Sequence, residues 1–216
     1  PSCGGKRMAE TAAWLTDAVI PNVAVRQWVL SLPIPMRYLV ATHPRIQSAL
    51  LEITIRVIST FLKKKTHNRS YQTGTVTVIQ RFGSALNLTP HFHMLFLDGV
   101  YSIKDAMAEF HKAEEPTNEE VKEFLSKIAR RSLKYLVKKG YFSLEEDCFS
   151  MGEDPFVERE PALAELLFAS SRYRIATGER KGQKIRKLGA LTPLNQKNPF
   201  DACQAETSDR RTAACG

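Results

Sequence analysis

The sequence predicts an α+β fold in which an antiparallel sheet carries helices packed mainly on one face. Segments with strand and helix patterns follow one another in the order strand, helix, strand, strand, helix. The two middle strands lie close together along the chain, as adjacent antiparallel strands do. A chain of 216 residues with 43% hydrophobic residues can bury one sizeable core. These observations predict one main domain.

The first strand and the first long helix have clear local patterns. Residues 25–32 are rich in strand-forming side chains, and Pro33 and Pro35 cannot continue a sheet ladder. From Pro44 the apolar residues recur every three or four positions, the spacing of a helix with one buried stripe. The lysines 63–65 then fall in the last turn, where cations complement the helix dipole. We therefore predict a strand at 25–32 and a helix from residue 44 to the lysines.

The two middle strands are predicted at residues 75–82 and 91–101. The first alternates β-branched and polar side chains, and the turn-prone segment 83–90 joins it to the second. Asp98 and Gly99 form a dipeptide typical of a turn or bulge near the end of the second run. The region therefore indicates two adjacent strands.

The second half of the chain is predicted to be mainly helical. Thr117 and Glu120 form a capping-box pattern ahead of helically spaced apolar residues, and Gly140 is a candidate C-cap. A shorter helix is predicted at 161–170. After residue 191 the hydrophobic content falls sharply, and we expect residues 191–216 to be irregular or disordered.

Composition favours a polyanionic partner. The formal net charge is +8 and the isoelectric point is near 9.4, which favours nucleic acid because binding phosphates releases counterions. No apolar run approaches the roughly 20 residues of a membrane span, and no secretory signal is apparent, so we expect a cytoplasmic protein without membrane contact. The four cysteines, Cys3, Cys148, Cys203 and Cys215, lack paired spacing, which argues against disulfides and a complete zinc site.

His91 and His93 are the most informative residues of the sequence. On a strand, side chains two residues apart share a face with roughly 7 Å between their Cα atoms, close enough for two imidazoles to bind one ion. Phe92, Met94 and Phe96 would then face the helices, while Leu95 and Leu97 continue the histidine face. Because both faces are largely apolar, this strand should be central. Two histidines at a strand end can also simply hydrogen-bond to their neighbours. Their position beside a buried strand favours a cation or carboxylate partner.

The block at residues 78–101, which contains both histidines, resembles the His-hydrophobic-His (HUH) segment of rolling-circle transposases of the insertion-sequence 91 type. Two further stretches, residues 3–13 and 26–39, agree with the same family, and the similarity covers roughly residues 2–190. The resemblance implies a ferredoxin-like HUH nuclease core.

The resemblance also implies DNA transposition by an enzyme that cleaves and rejoins single-stranded DNA at transposon ends. In such enzymes the two histidines, here His91 and His93, hold Mg²⁺ or Mn²⁺ with a third polar ligand, and a tyrosine forms a phosphotyrosine link with the DNA. A Lewis acid and covalent capture suit that chemistry. Gln80 is our candidate third ligand, although it could instead tie strands together, and Asp98 is a weaker candidate.

The chain departs from the family pattern at two places. Residues 1–20 resemble only a remnant of an N-terminal zinc-binding module with its connecting helix, and Cys3 lacks partners, so we expect no structural zinc. The family's nucleophilic tyrosines lie downstream of the region matching residues 172–188, whereas this chain has no tyrosine after Tyr173. We therefore assign no catalytic residue, and we expect binding of metal and DNA without cleavage.

A basic segment, residues 171–190, follows the predicted HUH core at 21–170. Its cations are candidate phosphate contacts, although they could also form an ordinary solvated surface: Arg172, Arg174, Arg180, Lys181, Lys184, Arg186 and Lys187. One alternative function is a non-catalytic module that binds single-stranded nucleic acid by stacking bases on exposed sheet aromatics, with Trp28 and Phe82 as candidates. An inactive transposase remnant is the other alternative. The sequence leaves the oligomeric state open.

Overall fold

The computed structural model describes residues 2–66, 71–83, 87–105, 107–145, 148–151 and 154–184. The predicted α+β class with antiparallel sheets is confirmed. The elements are, in order, α1 (Ser2–Trp14), a π-helical turn (Leu15–Val19), β1 (Val25–Ser31), α2 (Ile34–Thr42), α3 (Pro44–Lys65), β2 (Thr75–Phe82), β3 (Leu88–Leu97), β4 (Gly99–Lys104), β5 (Met107–Lys112), α4 (Asn118–Lys138), β6 (Phe142–Glu145), β7 (Cys148–Met151), α5 (Pro155–Arg159) and α6 (Pro161–Ser171).

The described residues group into two compact units. The first draws on segments 1–30, 48–79 and 92–152, and the second draws on 31–47, 80–91 and 153 onward. The domain limits predicted at residues 20, 170 and 190 stay predictions, and the predicted tail at 191–216 lies outside the described residues. In the described part of the chain, no helix is long and apolar enough to cross a membrane.

The largest sheet has three strands in the order β1-β3-β2. The backbone N–H of Asp98, just after β3, donates to the carbonyl of Ala24, just before β1, at 2.8 Å. The end of β3 therefore lies beside the start of β1, as antiparallel pairing requires. The prediction that the histidine strand is central is confirmed.

In the first unit, α3 and α4 pack on one face of β1. The core joins Val57 of α3 to Phe124 and Ile128 of α4, with Trp28 and Leu30 of β1 packed against it. The rings of Trp28 and Phe124 meet edge to face with centroids 5.2 Å apart. Such aromatic pairs add stability beyond the apolar area that they bury.

The start of α4 confirms the predicted capping box. Thr117 Oγ1 accepts from the backbone N–H of Glu120 at 3.3 Å, and Glu120 Oε2 accepts from the N–H of Thr117 at 2.8 Å. Gly140, just past the helix, has a φ of +76°, a conformation that glycine adopts without steric cost. Both ends of this helix are therefore encoded locally.

The second unit contains a helix that the sequence patterns did not predict. Pro33 and Pro35 end the strand pattern, but Pro35 also lies in the first turn of α2, where a missing N–H costs nothing. Tyr38, on this helix, is 2% exposed. Its ring meets those of Phe156 and Phe168 with centroids 6.4 and 6.0 Å away. The helix is fixed by this aromatic packing, which local spacing does not show.

Two hairpins also differ from the sequence prediction. The extended run predicted at 91–101 breaks at Asp98, and residues 99–104 pair with 107–112 as the antiparallel hairpin β4–β5. Glycine at position 99 permits the close approach of the two strands at the base of this hairpin, because a Cβ there would lie 2.2 Å from the carbonyl oxygen of His111. The second hairpin pairs β6 with β7.

An ion pair fixes the end of β3 against β1. Both carboxylate oxygens of Asp98 accept from the guanidinium of Arg26, at 2.8 and 2.9 Å. The Asp98 residue is 6% exposed. The hydrogen bond to Asp98 raises the pKa of Arg26 above its ordinary value. This paired geometry is the strong form of the arginine–carboxylate contact.

Replacing Asp98 by asparagine should destabilise the first unit. We expect the free energy of unfolding to fall by about 1.5–3 kcal/mol, because hydrogen bonds to a charged group are lost in a buried setting. Urea unfolding followed by tryptophan fluorescence measures it. Glu115→Gln is the control, since that carboxylate is 3.9 Å from Arg26 and 87% exposed. An equal loss in both variants would contradict the assigned role of Asp98.

Candidate metal and nucleic-acid site

His91 and His93 lie on one face of β3. Burial alternates along the strand: Phe92, Met94 and Phe96 are 0–1% exposed, whereas both histidines are half-buried. Because strand side chains alternate between faces, the two imidazoles lie opposite the buried aromatic face. The arrangement matches the one that the sequence spacing predicted.

Both imidazoles contact side chains of β1. His91 Nδ1 lies 3.0 Å from Ser31 Oγ, and His93 Nδ1 lies 3.4 Å from Gln27 Nε2. Ser31 and Gln27 are four residues apart on one strand and so share a face. The sequence did not indicate these partners, because the pairing joins residues 60 and 66 positions apart.

The polar residues near the histidine strand, including the candidate ligands Gln80 and Asp98, have partners within the fold. The Gln80 side-chain amide donates from Nε2 to the carbonyl of Phe82 at 2.9 Å, on its own strand. Asn87 is 3% exposed and donates to Thr89 Oγ1 at 3.3 Å. Both oxygens of Asp98 accept from Arg26, which makes Asp98 a poor ligand. The ligand role of Gln80 stays a prediction.

The histidine face offers two imidazoles with amide and hydroxyl neighbours. Among the described side chains, no three His, Cys, Asp or Glu residues form a group able to hold a metal ion. An ion bound by two imidazoles would keep open positions for water or phosphate oxygens, whereas catalytic metal sites commonly have three protein ligands and one open position. Two imidazoles alone are an incomplete donor set, so the metal site stays a prediction. The side chains of the four cysteines lie outside the described residues, so the expectation of no structural zinc stays a prediction.

The two aromatic residues considered for base stacking differ in exposure. Phe82 is 49% exposed. Trp28 packs against the core of α3 and α4, so the expectation that it is an exposed sheet residue is wrong. Its position in β1 is set by alternation, which turns Trp28 and Leu30 toward the helices. Stacking on Trp28 is therefore not open to a base.

The basic segment folds into a short loop after α6. Arg174 and Lys184 pair as an antiparallel bridge, and Gly178 and Gly182 adopt φ values of +80° and +84° between them. Five of the seven predicted cations fall in the described part, and all five are exposed: Arg172, Arg174, Arg180, Lys181 and Lys184. Arg186 and Lys187 lie outside it.

Two contacts attach this loop to α6. The Arg172 guanidinium lies 3.9 Å from the ring centroid of Phe168, and Lys181 forms an ion pair with Glu165. Burial, and then the charge of Arg174, lower the pKa of Arg172 from its ordinary value. Arg180 and Lys184 are also exposed, and phosphate contact by the segment stays a prediction.

All six tyrosines fall in the described residues, and each is buried or half-buried. Tyr71 stacks on His111 with centroids 4.9 Å apart, and Tyr101 packs against Phe110 at 5.1 Å. Arg37 lies over the ring of Tyr173. These contacts are packing interactions.

Tyr38 is the most enclosed of the six, and its surroundings oppose ionisation. Burial, together with the negative charge of nearby Asp154, raises its pKa to about 12. Asp154 also accepts from the backbone N–H of Phe156 at 2.9 Å and lies 3.2 Å from His43 Nε2. A phenol held in its neutral form is a poor nucleophile.

Residues 74–154 match a protein-family model described as "Putative transposase". The match spans β2 to β7 and includes His91, His93 and Gln80. It supports a role in DNA transposition. No curated protein matches the chain.

The buried phenol of Tyr38 gives a pH prediction. Its pKa is raised from 10.0 to about 12, so the stability that it contributes is complete below pH 10 and is lost as the pH rises toward 12. We expect Tyr38→Phe to show a shallower fall of unfolding free energy across that window than the wild type. The difference in phenolate absorbance between the two proteins measures the titration. A difference that titrates near pH 10 would contradict the assignment.

Proposed function

We propose that the chain is the core of a rolling-circle transposase that binds single-stranded DNA at transposon ends in the cytoplasm. His91 and His93 would hold Mg²⁺ or Mn²⁺, and the basic segment after α6 would contact the DNA backbone. The observation that carries this proposal is the placement of both imidazoles on one half-buried face of the central strand, within the segment that matches the transposase family.

The hydrogen bonds to β1 suggest how the imidazoles would be oriented. Histidines that bind metals commonly donate their second ring N–H to a fixed acceptor. Ser31 Oγ, 3.0 Å from His91 Nδ1, is such an acceptor. The Gln27 amide can serve His93 in the same way once a half-turn exchanges its oxygen and nitrogen, which have nearly the same shape. Both contacts favour Nε2 as the metal-binding atom.

The chain's own residues would position the DNA rather than cleave it. A divalent ion would supply Lewis-acid stabilisation of charge on a phosphate. Exposed cations of the basic segment, including Arg180 and Lys184, would hold the strand through phosphate contacts that carry no sequence preference. We assign the nucleophile to none of the six tyrosines.

A second candidate function is a module that binds single-stranded nucleic acid without metal. The exposed ring of Phe82 favours it, since bases of any sequence stack on aromatic side chains. The packing of half-buried Trp28 against the core of α3 and α4 removes the second residue proposed for stacking. Dependence of DNA binding on Mn²⁺ and on the two histidines distinguishes the proposals.

Mn²⁺ binding tests the histidine site directly. We expect the wild type to bind Mn²⁺, detected as loss of the free-ion electron paramagnetic resonance signal, and the double variant His91→Ala/His93→Ala to lose that binding. Gln80→Ala tests the third ligand and should weaken binding. His111→Gln is the matched control, because it also removes an imidazole but one that stacks on Tyr71. Equal Mn²⁺ affinity in the double variant and the wild type would refute the metal site.

The salt dependence of DNA binding tests the role of the basic segment. Replacing Lys181, Lys184 and Arg186 together by glutamine should weaken binding of a labelled single strand. If all three contact phosphates, the slope of log affinity against log salt should decrease by about 2. The matched control, Lys122→Gln/Arg130→Gln/Lys139→Gln, removes the same charge elsewhere. An unchanged slope in the first variant would count against the segment.

A further inference from the structure

A basic groove lies between α3 and α4 in the first unit, and the histidine site does not include it. Its volume is about 430 Å³, and it is lined by Ile53 and Arg56 of α3 with Arg131, Lys134, Tyr135 and Lys138 of α4. Four of these six residues carry a positive charge and none carries a negative one. Such a concentration of cations favours a polyanion.

The charge of α4 is segregated along its length. Its acidic residues end at Glu123, and every charged residue from 124 to 138 is Lys or Arg. Arg131, Lys134 and Lys138 are three and four residues apart and so share one face of the helix. The helix dipole favours cations only within the last turn. It therefore accounts for Lys138 but not for Arg131.

The groove's positive charge is largely uncompensated. Arg56 pairs with Glu52 on its own helix, and both side chains are about two-thirds exposed (68% and 67%). Exposed pairs of this kind are weak, so Arg56 can exchange its partner for a phosphate. Among the described residues, no ion pair involves Arg131, Lys134 or Lys138.

We propose that this groove, defined by Arg56, Arg131, Lys134 and Lys138, binds the phosphate backbone of double-stranded DNA. The proposal rests on the proposed function for the identity of the polyanion. Positions 131 to 138 span about 10 Å along the helix, which covers about three phosphates of one DNA strand at about 3.4 Å each along its axis. Cations distributed over that length can contact the DNA backbone at more than one phosphate.

The lining favours duplex over single-stranded DNA. Proteins that hold single strands without sequence preference combine cations with exposed aromatic rings on which bases stack. The groove's one aromatic residue, Tyr135, is half-buried, and Ile53 beside it is half-buried as well. A surface of cations without a stacking ring contacts phosphates and leaves the bases paired. Single-strand binding is assigned to the histidine face and the basic segment.

The experiment compares two triple variants of equal charge, with all six positions on α4 or at its C-cap. Arg131→Gln/Lys134→Gln/Lys138→Gln removes three of the four groove cations, and Lys122→Gln/Arg130→Gln/Lys139→Gln removes three exposed cations outside the groove lining. Fluorescence anisotropy of a labelled duplex, over a series of salt concentrations, measures binding. Circular dichroism checks that both variants fold.

We expect the groove variant to reduce the salt slope for the duplex by about 2 to 3, as loss of three phosphate contacts requires. The outside variant should change it much less. Equal losses in the two variants would overturn the groove, because general charge would then explain them. A larger loss for the single strand than for the duplex would overturn the duplex assignment.

The test of the groove can be distinguished from the test of the histidine metal site. Mn²⁺ binding in the groove variant should equal that of the wild type, because no groove residue lies on β3. Groove-dependent duplex binding without any Mn²⁺ binding would support the groove and reject the metal site. Mn²⁺ binding with groove-independent duplex binding would do the reverse.

Discussion

The candidate site depends on one constraint, the alternation of side chains between the two faces of β3. Phe92, Met94 and Phe96 are almost fully buried, and a strand that turns these three inward must turn His91 and His93 to its other face. A shift of one residue in its pairing would expose the aromatic side chains and bury both imidazoles. The hydrophobic energy of the core therefore also holds the histidines in place. Because side chains alternate every two residues along a strand, the packing of the core also sets the orientation of the candidate metal ligands.

Local patterns predicted much of the fold. The strand at 75–82, the helix from Pro44 and the capped helix after Thr117 were all predicted because spacing, proline and capping residues act over a few positions. Helix α2 was missed because Pro35 ends one pattern and begins another. The β4–β5 hairpin was missed because its root depends on a close approach at Gly99, and that approach involves residue 111. Such features depend on contacts that no short window contains.

The candidate site was likewise predictable only where it depends on local spacing. Spacing along one strand was enough to predict that His91 and His93 share a face. Ser31 and Gln27 could not be identified as their neighbours, since the register between β1 and β3 is set by burial and by the Arg26–Asp98 pair. The charge pattern was also only partly informative. The cations after α6 form a visible run, whereas those of α4 form a groove only because α3 lies beside them.

The β4–β5 hairpin has a fixed root and a permissive tip. At Gly99 even a methyl group would collide with the opposite main chain, while Ile103 and Met107 near the turn are 77% and 75% exposed. Selection should therefore tolerate almost no variation at the first position and wide variation at the other two. Relatives of this protein could therefore differ in sequence near the turn of the β4–β5 hairpin and keep the glycine at its base.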